Sequence, residues 1–523
     1  MKSWPLILGA CLAALPMGNA EATGLTDHGE DLDAPRSIVD FGGYIRMRGS
    51  LYHNLDLDRG PTPSGEIFFP VSLSDPTAQL LTAADMRVRT DLGLYAPWGG
   101  MALKVRVDWF DNVALGSMPD GIPSASSSQR DDLPMIRVRR AYAEILTPLG
   151  LISFGRMGNS WGLGMLANGG DCTDCDSGDS ADRIAFVTPV LGHLFAIAYD
   201  LTASGPFVPD TTDNRWIDVE PAAIVHTFTF AVANYRGPEA RKRRNGAGKV
   251  TPEYGAFASY RFQNEDVPAT YLPTAQPVPI TDGQVMARGF EAFASDLWLR
   301  FEGAHFRVEA EAAYLHASVE QPSLIPGLSF REPVTSNQFG AALETEFGDA
   351  EGRFRAGLDF GFASGDAAPG FGAFAKPGAL PGKPGDLDGP QANPPFDSAV
   401  QNFRFHPDYR VDRILFREII GTVTDAIYLR PHLRYDLVRL RKSKLTLGLS
   451  ANLSFAAVPE STPGQAAPLG LEVDPDLTYT SDLGFQAALE QATLAPLSGL
   501  DNLELGLPAK PAQLWRLRLT YAF

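Results

Sequence analysis

The sequence of 523 residues predicts an all-β fold, a transmembrane antiparallel β-barrel of about 18 strands (16–20), on three observations. Segments of about ten residues alternate polar and apolar side chains along most of the chain, and a period of two is the signature of a strand. In residues 103–109, for example, Lys104, Arg106 and Asp108 alternate with apolar residues. The connections between segments alternate short and long, and the last segment ends in Phe523. Together these features predict a closed sheet with one apolar and one polar face.

Eighteen strands can be placed in order along the chain. They are expected near residues 40–53, 84–96, 101–111, 134–146, 150–157, 182–190, 193–201, 222–236, 251–262, 286–301, 304–318, 335–347, 351–363, 425–439, 442–457, 469–480, 484–495 and 514–523. Most joints after even-numbered strands are short, whereas roughly 60 residues separate Phe362 from Asp425. Short periplasmic turns and long extracellular loops are typical of transmembrane barrels. The exception is the turn 237–250, which contains the basic run Arg241–Arg244, expected to be solvated or to contact anionic groups weakly.

The last predicted strand and the strand ends carry aromatic residues. A terminal strand ending in Phe523 resembles the assembly signal of bacterial outer-membrane proteins, which implies the barrel-assembly machinery as a partner. Aromatic girdles flank the apolar band of such barrels. The residues expected in the girdles are Tyr44, Tyr95, Trp109, Trp515 and Tyr521.

Composition excludes several other classes of protein. After residue 20 the chain has no apolar run of about 18 residues, which excludes a bundle of transmembrane helices. The net charge of -18 disfavours nucleic-acid binding. Because every backbone polar group in hydrocarbon must be paired, a membrane-spanning sheet has to close on itself. A barrel of this size has a lumen too wide for side chains to fill, so we expect an aqueous channel unless a loop occupies it.

The first 20 residues, MKSWPLILGACLAALPMGNA, have the pattern of a secretory signal peptide. Cleavage is expected after Ala20 or Ala22, and a lipoprotein site at Cys11 is the alternative. Residues 21–39 would form a short periplasmic segment and residues 40–523 the barrel. Within the barrel, residues 364–424 would form a long extracellular or constricting loop, with 403–421 entering the lumen.

Cationic residues of the first four strands share one phase and would form a basic ladder along one wall of the lumen. Carboxylates are interspersed or lie across the channel, at Asp91, Glu309, Glu311 and Asp436 among others. A ladder of this kind favours anions, whereas pairing within the wall would only keep the lumen wet and rigid. The candidate pore-lining residues are Arg46, Arg48, Arg87, Arg89, Lys104, Arg106, Asp108, Arg137, Arg139, Arg355, Asp359, Arg430 and Arg434.

The most distinctive motif, GRMGNSWGLGMLANGGDCTDCDSGDSADR, begins at Gly155 and falls in an outside loop. Two cysteines in an exported chain predict a disulfide, here Cys172–Cys175, closing an acidic surface loop. Carboxylates at close spacing are also ligands for calcium, although the spacing does not match an EF-hand. The candidate calcium ligands are Asp171, Asp174, Asp176 and Asp179. Zinc is disfavoured because the two thiols have no neighbouring histidine.

No catalytic motif was found, so an enzyme is not predicted. The eight histidines of the chain do not lie in a nucleophile or metal signature such as G-x-S-x-G or H-E-x-x-H. A hydrolase embedded in the barrel stays an alternative, to be recognised by a His/acid cluster at the rim.

Three segments resemble a family of uncharacterised, porin-like outer-membrane proteins from myxobacteria: FGGYIRMRGSLYHNLDLDRGPTP, GRMGNSWGLGMLANGGDCTDCDSGD and FRFHPDYRVDRILFREIIGTVTDAIYLRP. The resemblance covers Phe41 to Phe523 and implies a porin-like barrel, with no known substrate and no catalytic residues to carry over. More distantly, Gly155-Arg156 and Trp161-Gly162 look like the strand-to-loop segment of substrate-selective porins, including alginate exporters.

The function expected from the sequence is therefore passive or facilitated diffusion of small hydrophilic solutes, anions among them, across the outer membrane. The barrel would contact membrane lipid and lipopolysaccharide. The runner-up is a non-conducting barrel for adhesion or surface display with a plugged lumen.

Overall fold

The computed structural model describes residues 38–71, 79–115, 136–202, 205–206, 224–267, 282–325, 327–349, 352–374 and 380–523. The strands in this part of the chain are β1 Val39–His53, β2 Leu80–Tyr95, β3 Met101–Ala114, β4 Arg137–Thr147, β5 Gly150–Gly158, β6 Ser180–Val190, β7 His193–Thr202, β8 Val225–Asn234, β9 Thr251–Asp266, β10 Met286–Glu302, β11 Phe306–Val319, β12 Val334–Phe347, β13 Phe354–Ala363, β14 Ala399–Val400, β15 Ala426–Leu440, β16 Ser443–Ala456, β17 Pro468–Ser481, β18 Phe485–Pro496 and β19 Ala512–Ala522.

All strands except β14 pair antiparallel with their neighbours and close into one barrel. Closure joins β1 to β19, with Tyr44 opposite Ala522 and Arg48 opposite Arg518. The chain end reinforces it, because Gly43 and Phe523 exchange two backbone hydrogen bonds of 3.1 and 3.0 Å. The prediction of an 18-stranded barrel is confirmed, since β14 is a two-residue strand within the long loop and pairs parallel to β12.

The alternation of side chains places an apolar surface outside and polar residues inside. On β10, Phe293, Leu297 and Leu299 are exposed on the outer face, whereas Trp298 and Arg300 are buried on the inner face. The same alternation in the other strands surrounds the barrel with apolar side chains, which is the surface that hydrocarbon requires. Two girdle predictions are wrong: Tyr44 has the phase of Arg46 and is buried inside, and Tyr95 packs against an interior apolar cluster. Trp109, Trp515 and Tyr521 do face outward.

The long turn between β8 and β9 forms a helix, α1, at Pro238–Gly246. Its residue Arg241 is buried against Glu253 and Glu302, which point into the barrel from β9 and β10. Of the two expectations for the basic run, contact with anionic groups therefore applies at Arg241, because α1 folds over the periplasmic end of the lumen. Among the described residues no helix is long and apolar enough to cross a membrane.

Candidate functional site

The cations predicted to form a ladder do lie together on the inner wall of β1 to β4. Arg46, Arg48, Arg87 and Arg89 are at most 6% exposed. Each faces a carboxylate: Arg89 binds Asp108 through two hydrogen bonds of 2.7 and 2.9 Å. The other pairs include Arg46–Asp85, Arg87–Asp111, Arg48–Asp85, Lys104–Glu144, Arg106–Asp91, Arg137–Asp111 and Arg139–Asp108. The ladder is therefore only partly neutralised by acids of the same wall, because Asp108 and Asp111 each serve more than one cation.

One further cation on this wall was missed by sequence reasoning. The pairing of β3 with β4 shifts register between Arg106 and Val107, which is a β-bulge at Arg139. A bulge lets two consecutive residues point to one face, whereas strict alternation allows only one of them. Both Arg139 and Arg140 consequently reach carboxylates inside the barrel, Asp108 and Asp171 respectively.

The acidic Cys-containing loop, residues 159–179 between β5 and β6, crosses the lumen and is called the strap below. Its predicted position on the outer surface is wrong. Asp171 pairs with Arg106 and Arg140, and Asp176 accepts hydrogen bonds from Arg46 at 3.1 Å and from Arg48 at 2.7 Å. The strap folds inward because its carboxylates and backbone carbonyl oxygens accept hydrogen bonds from the buried arginines of the wall.

The charges in the strap stay ionised over the ordinary pH range. Burial acts against the charge of Asp171, yet Arg106 and Arg140 hold its pKa at about 2. Burial opposes the charge of Asp174 as well, and Arg417 and Arg410 nevertheless lower its pKa well below the usual value. The contribution of these carboxylates to stability is present above their unfolded pKa of about 4 and is lost only in strong acid.

The other end of the strap is anchored to the opposite wall. Trp161 donates its indole N–H to Asp296 Oδ1 on β10 at 2.9 Å. Glu311 on β11 accepts the backbone N–H groups of Leu163 and Leu166 at 2.5 and 3.2 Å. Gly162 has a φ of +54°, and a Cβ there would lie 2.5 Å from a carboxylate oxygen of Glu311, so the close approach requires glycine. The strap thus bridges the barrel from β1 to β11.

The predicted disulfide between Cys172 and Cys175 is present within the strap. The four candidate calcium ligands do not converge: the carboxylates of Asp171, Asp174 and Asp176 face guanidinium groups, and Asp179 lies 3.5 Å from His406 Nε2. In the described part of the chain no group of three His, Cys, Asp or Glu residues could hold a metal ion. Calcium at this loop stays a prediction.

The long loop between β13 and β15 also folds into the lumen, as predicted for residues 403–421. A short π-helical turn at Leu415–Ile419 is almost wholly buried. Glu472 on the inner face of β17 accepts the backbone N–H groups of Arg413, Ile414 and Leu415 at 2.8, 2.8 and 2.9 Å. These bonds fix the segment to the wall because a buried N–H must find an acceptor.

The strap and the long loop bind each other through one ionic cluster. Asp174 Oδ2 lies 2.9 Å from Arg410 and 2.8 Å from Arg417, both in the long loop. Its Oδ1 lies 3.2 Å from Arg48 of β1. In return, Asp408 of the long loop accepts the backbone N–H of Asp176 at 2.7 Å. This set of contacts, the ionic cluster, joins both loops to the arginine wall inside the lumen.

Two cavities flank the strap in the extracellular half of the barrel. The charged cavity, about 260 Å³, lies between the strap, the long loop and strands β1, β2 and β19. It is lined by four carboxylates and by Arg48, Arg410, Arg417 and Arg516. The amphipathic cavity, about 350 Å³, lies between the strap and strands β6 to β11. On its periplasmic side lies an apolar cluster that includes Trp161, Ala233 and Trp298.

The remaining predicted pore residues lie on β13 and β15. Arg355 pairs with Glu346 at 3.2 Å, and Arg430 pairs with Asp359 at 2.9 Å. Arg434 is exposed inside the barrel, and it forms no ion pair with the described residues. The predicted signal peptide and residues 21–37 lie outside the described residues.

No family model and no curated protein matches this sequence. Solved structures of outer-membrane proteins align with it at low similarity. OccK11 (OpdR) of Pseudomonas aeruginosa is 11% identical, with 92% of this chain and 96% of that chain covered at a TM-score of 0.44. OpdK of the same organism, in a structure with vanillate, is 11% identical over 92% and 98% at 0.43. The channel DcaP of Acinetobacter baumannii is 10% identical over 93% and 97% at 0.37.

With TM-scores below 0.5, these likenesses carry no conclusion on solute, and the resemblance to the myxobacterial family stays a prediction. The location follows from the structure itself. A closed barrel of 18 antiparallel strands with an apolar outer surface and a charged interior is the form in which sheets cross bacterial outer membranes. The protein is a transmembrane barrel of the outer membrane.

Proposed function

We propose that the protein is a loop-narrowed aqueous channel for small hydrophilic solutes, with a preference for anions. The proposal rests mainly on the charged cavity. A space of about 260 Å³ that is lined by arginines and carboxylates is polar and large enough to hold water. The size of the charged cavity limits the size of the solute. Only molecules much smaller than those that an unobstructed 18-stranded barrel admits would pass.

The charged cavity is a better candidate for the conducting path than the amphipathic cavity. Below the amphipathic cavity lies the apolar cluster around Trp298, and α1 lies over the periplasmic end of the lumen. On the other side, β15 and β16 present Arg434 and Lys444 on their inner faces, and both side chains are exposed. Exposed charges on an inner wall support a water-filled vestibule towards the periplasm.

Arg434 and Lys444 also support the preference for anions, and they support it more strongly than the predicted basic ladder does. The ladder cations are paired, whereas Arg434 and Lys444 form no ion pair with described residues. A unit charge about 8 Å from the path in water changes the energy of a passing ion by about 0.5 kcal/mol, which is about twofold in local concentration. The preference should be modest and should fade in concentrated salt, where the Debye length is about 3 Å at 1 M.

Single-channel recording of the refolded protein in a planar bilayer, under a roughly tenfold KCl gradient, tests the proposal. Steady current is expected, with a reversal potential on the anion side that moves towards zero in Arg434→Gln. Ala83 lines the charged cavity from β2, so Ala83→Trp should block most of the current. Thr82→Trp, on the outward face of the same strand, is the matched control and should conduct like the parent.

The second candidate function is that of a non-conducting barrel. The contacts of the two loops with the walls favour it, because both loops occupy part of the lumen. The strap and the long loop form buried ion pairs and hydrogen bonds with walls on opposite sides. Absence of current from a correctly folded barrel would support this candidate and overturn the channel.

A further inference from the structure

The amphipathic cavity has the composition of a binding pocket rather than of a channel. Ligand pockets of roughly 300–1,000 Å³ are mostly apolar, with a few polar groups that converge. This cavity, at about 350 Å³, is lined by Trp161, Phe257, Phe290 and Leu315 together with hydroxyl and charged side chains. It lies between the strap and the inner wall, in the extracellular half of the barrel, so its contents would come from the outside medium.

One cation in this cavity has spare hydrogen-bonding capacity. Arg261 of β9 donates its Nε to Thr227 Oγ1 at 3.1 Å, and it forms no ion pair with the described residues. The neighbouring Arg183 differs, because its guanidinium binds Asp200 through two bonds of 2.6 and 2.8 Å. The terminal N–H groups of Arg261 are thus available to a carboxylate, which a guanidinium binds through paired hydrogen bonds.

One anion in the same cavity is also only partly satisfied. Asp179 of the strap lines the cavity with a side chain that is 43% exposed. It accepts the backbone N–H of Asn168 at 3.3 Å and lies 3.5 Å from His406 Nε2. Asp179 and Asp200 are close enough to act on the charge of Arg261. A cation and an anion therefore share one pocket without pairing with each other.

The charged and apolar parts occupy different levels of the pocket. Along β9, Arg261 lies nearer the extracellular end and Phe257 lies deeper, and Trp161 packs edge-on against Phe257 at 5.2 Å between ring centroids. A molecule with a charged head and an apolar body would place the body against these rings. From these contacts we infer that the amphipathic cavity binds a small zwitterion with an apolar body, its carboxylate on Arg261 and its ammonium on Asp179.

This inference goes beyond the proposed function, because it concerns a pocket apart from the charged cavity. Binding can be measured on the purified full barrel in detergent through the fluorescence of Trp161, with Trp161→Phe to identify its signal. The probes are norleucine, hexanoate, which lacks the ammonium, and pentylamine, which lacks the carboxylate. Norleucine should bind at least about tenfold more tightly than either, since each loses one charge-assisted contact.

Variants assign each charge to a residue. Arg261→Gln should weaken norleucine and hexanoate about tenfold and leave pentylamine unchanged, and Asp179→Asn should weaken norleucine and pentylamine only. Arg137→Gln, which removes a cation from the opposite wall, is the control and should change none of the three affinities. Equal binding of hexanoate and norleucine, no effect of Asp179→Asn, or no fluorescence response to any probe would each overturn the inference. Because binding is measured without current, a failure of the channel proposal would be seen separately.

Discussion

Replacement of Asp174 by asparagine tests whether the ionic cluster holds the strap in the lumen. The carboxylate lies within 3.2 Å of Arg48, 2.9 Å of Arg410 and 2.8 Å of Arg417. Those three arginine side chains are at most 15% exposed. Removing one partner of a buried ion pair costs about 3–5 kcal/mol, because the remaining charges are left uncompensated. Asparagine keeps one acceptor oxygen, so we expect the lower end, about 3 kcal/mol.

That loss should increase the opening of the strap about a hundredfold, since about 1.4 kcal/mol corresponds to a factor of ten. Hydrogen exchange of the strap amides reports this opening directly. The backbone N–H groups of Asp176 and Ser177 are suitable probes, because both are bound to Asp408 in the closed state. Asp182→Asn is the control, since Asp182 forms an exposed pair with Arg156 and such pairs contribute little. Equal exchange of the strap amides in the two variants would refute the role of the cluster.

Other predictions concern the anchors of the two loops. Trp161→Phe removes the indole donor from the buried Asp296 and should lower the free energy of unfolding by about 2 kcal/mol in urea titration, unlike the lipid-facing Trp109→Phe. Burial raises the pKa of Asp412, in the long loop, to about 7. The melting temperature should therefore be highest below about pH 4 and fall as pH rises through about 7, because the folded state disfavours the ionised carboxylate. Asp412→Asn should flatten this pH dependence of the melting temperature. Cys172→Ser opens a very short loop and should cost about 2 kcal/mol by thermal unfolding. Calcium, with chelator as the control, should leave the melting temperature unchanged because arginines hold the carboxylates of the strap; a rise would support the calcium site.

The barrel could be predicted from the sequence because its rules are local. A strand exposes alternate residues to lipid and lumen, so the period of two and the lengths of the joints are visible in the chain itself. Residues as far apart as Arg46 and Arg518 could be placed on the inner wall without any tertiary information. The same rule fails where the strand departs from regularity, as at the bulge that turns Arg140 inward.

The position of the strap could not be predicted from local rules. Its anchors join residues far apart in the chain: Trp161 and Asp296 are separated by 135 positions, and Asp174 and Arg410 by 236. One signal was present in the sequence, namely an acidic loop beside a wall with an excess of arginines. Because buried charges need partners, that complementarity favours a loop inside the barrel over one in solvent.

The central claim is that ions pass through the charged cavity beside the strap, and cysteine modification tests it most directly. Ala83→Cys places a thiol in that cavity, and Thr82→Cys places one on the outward face of the same strand. A cationic thiol reagent added during single-channel recording should sharply reduce the current of Ala83→Cys and leave that of Thr82→Cys unchanged. Unchanged current after complete modification of Ala83→Cys, verified by mass, would contradict the account and place the path elsewhere in the lumen.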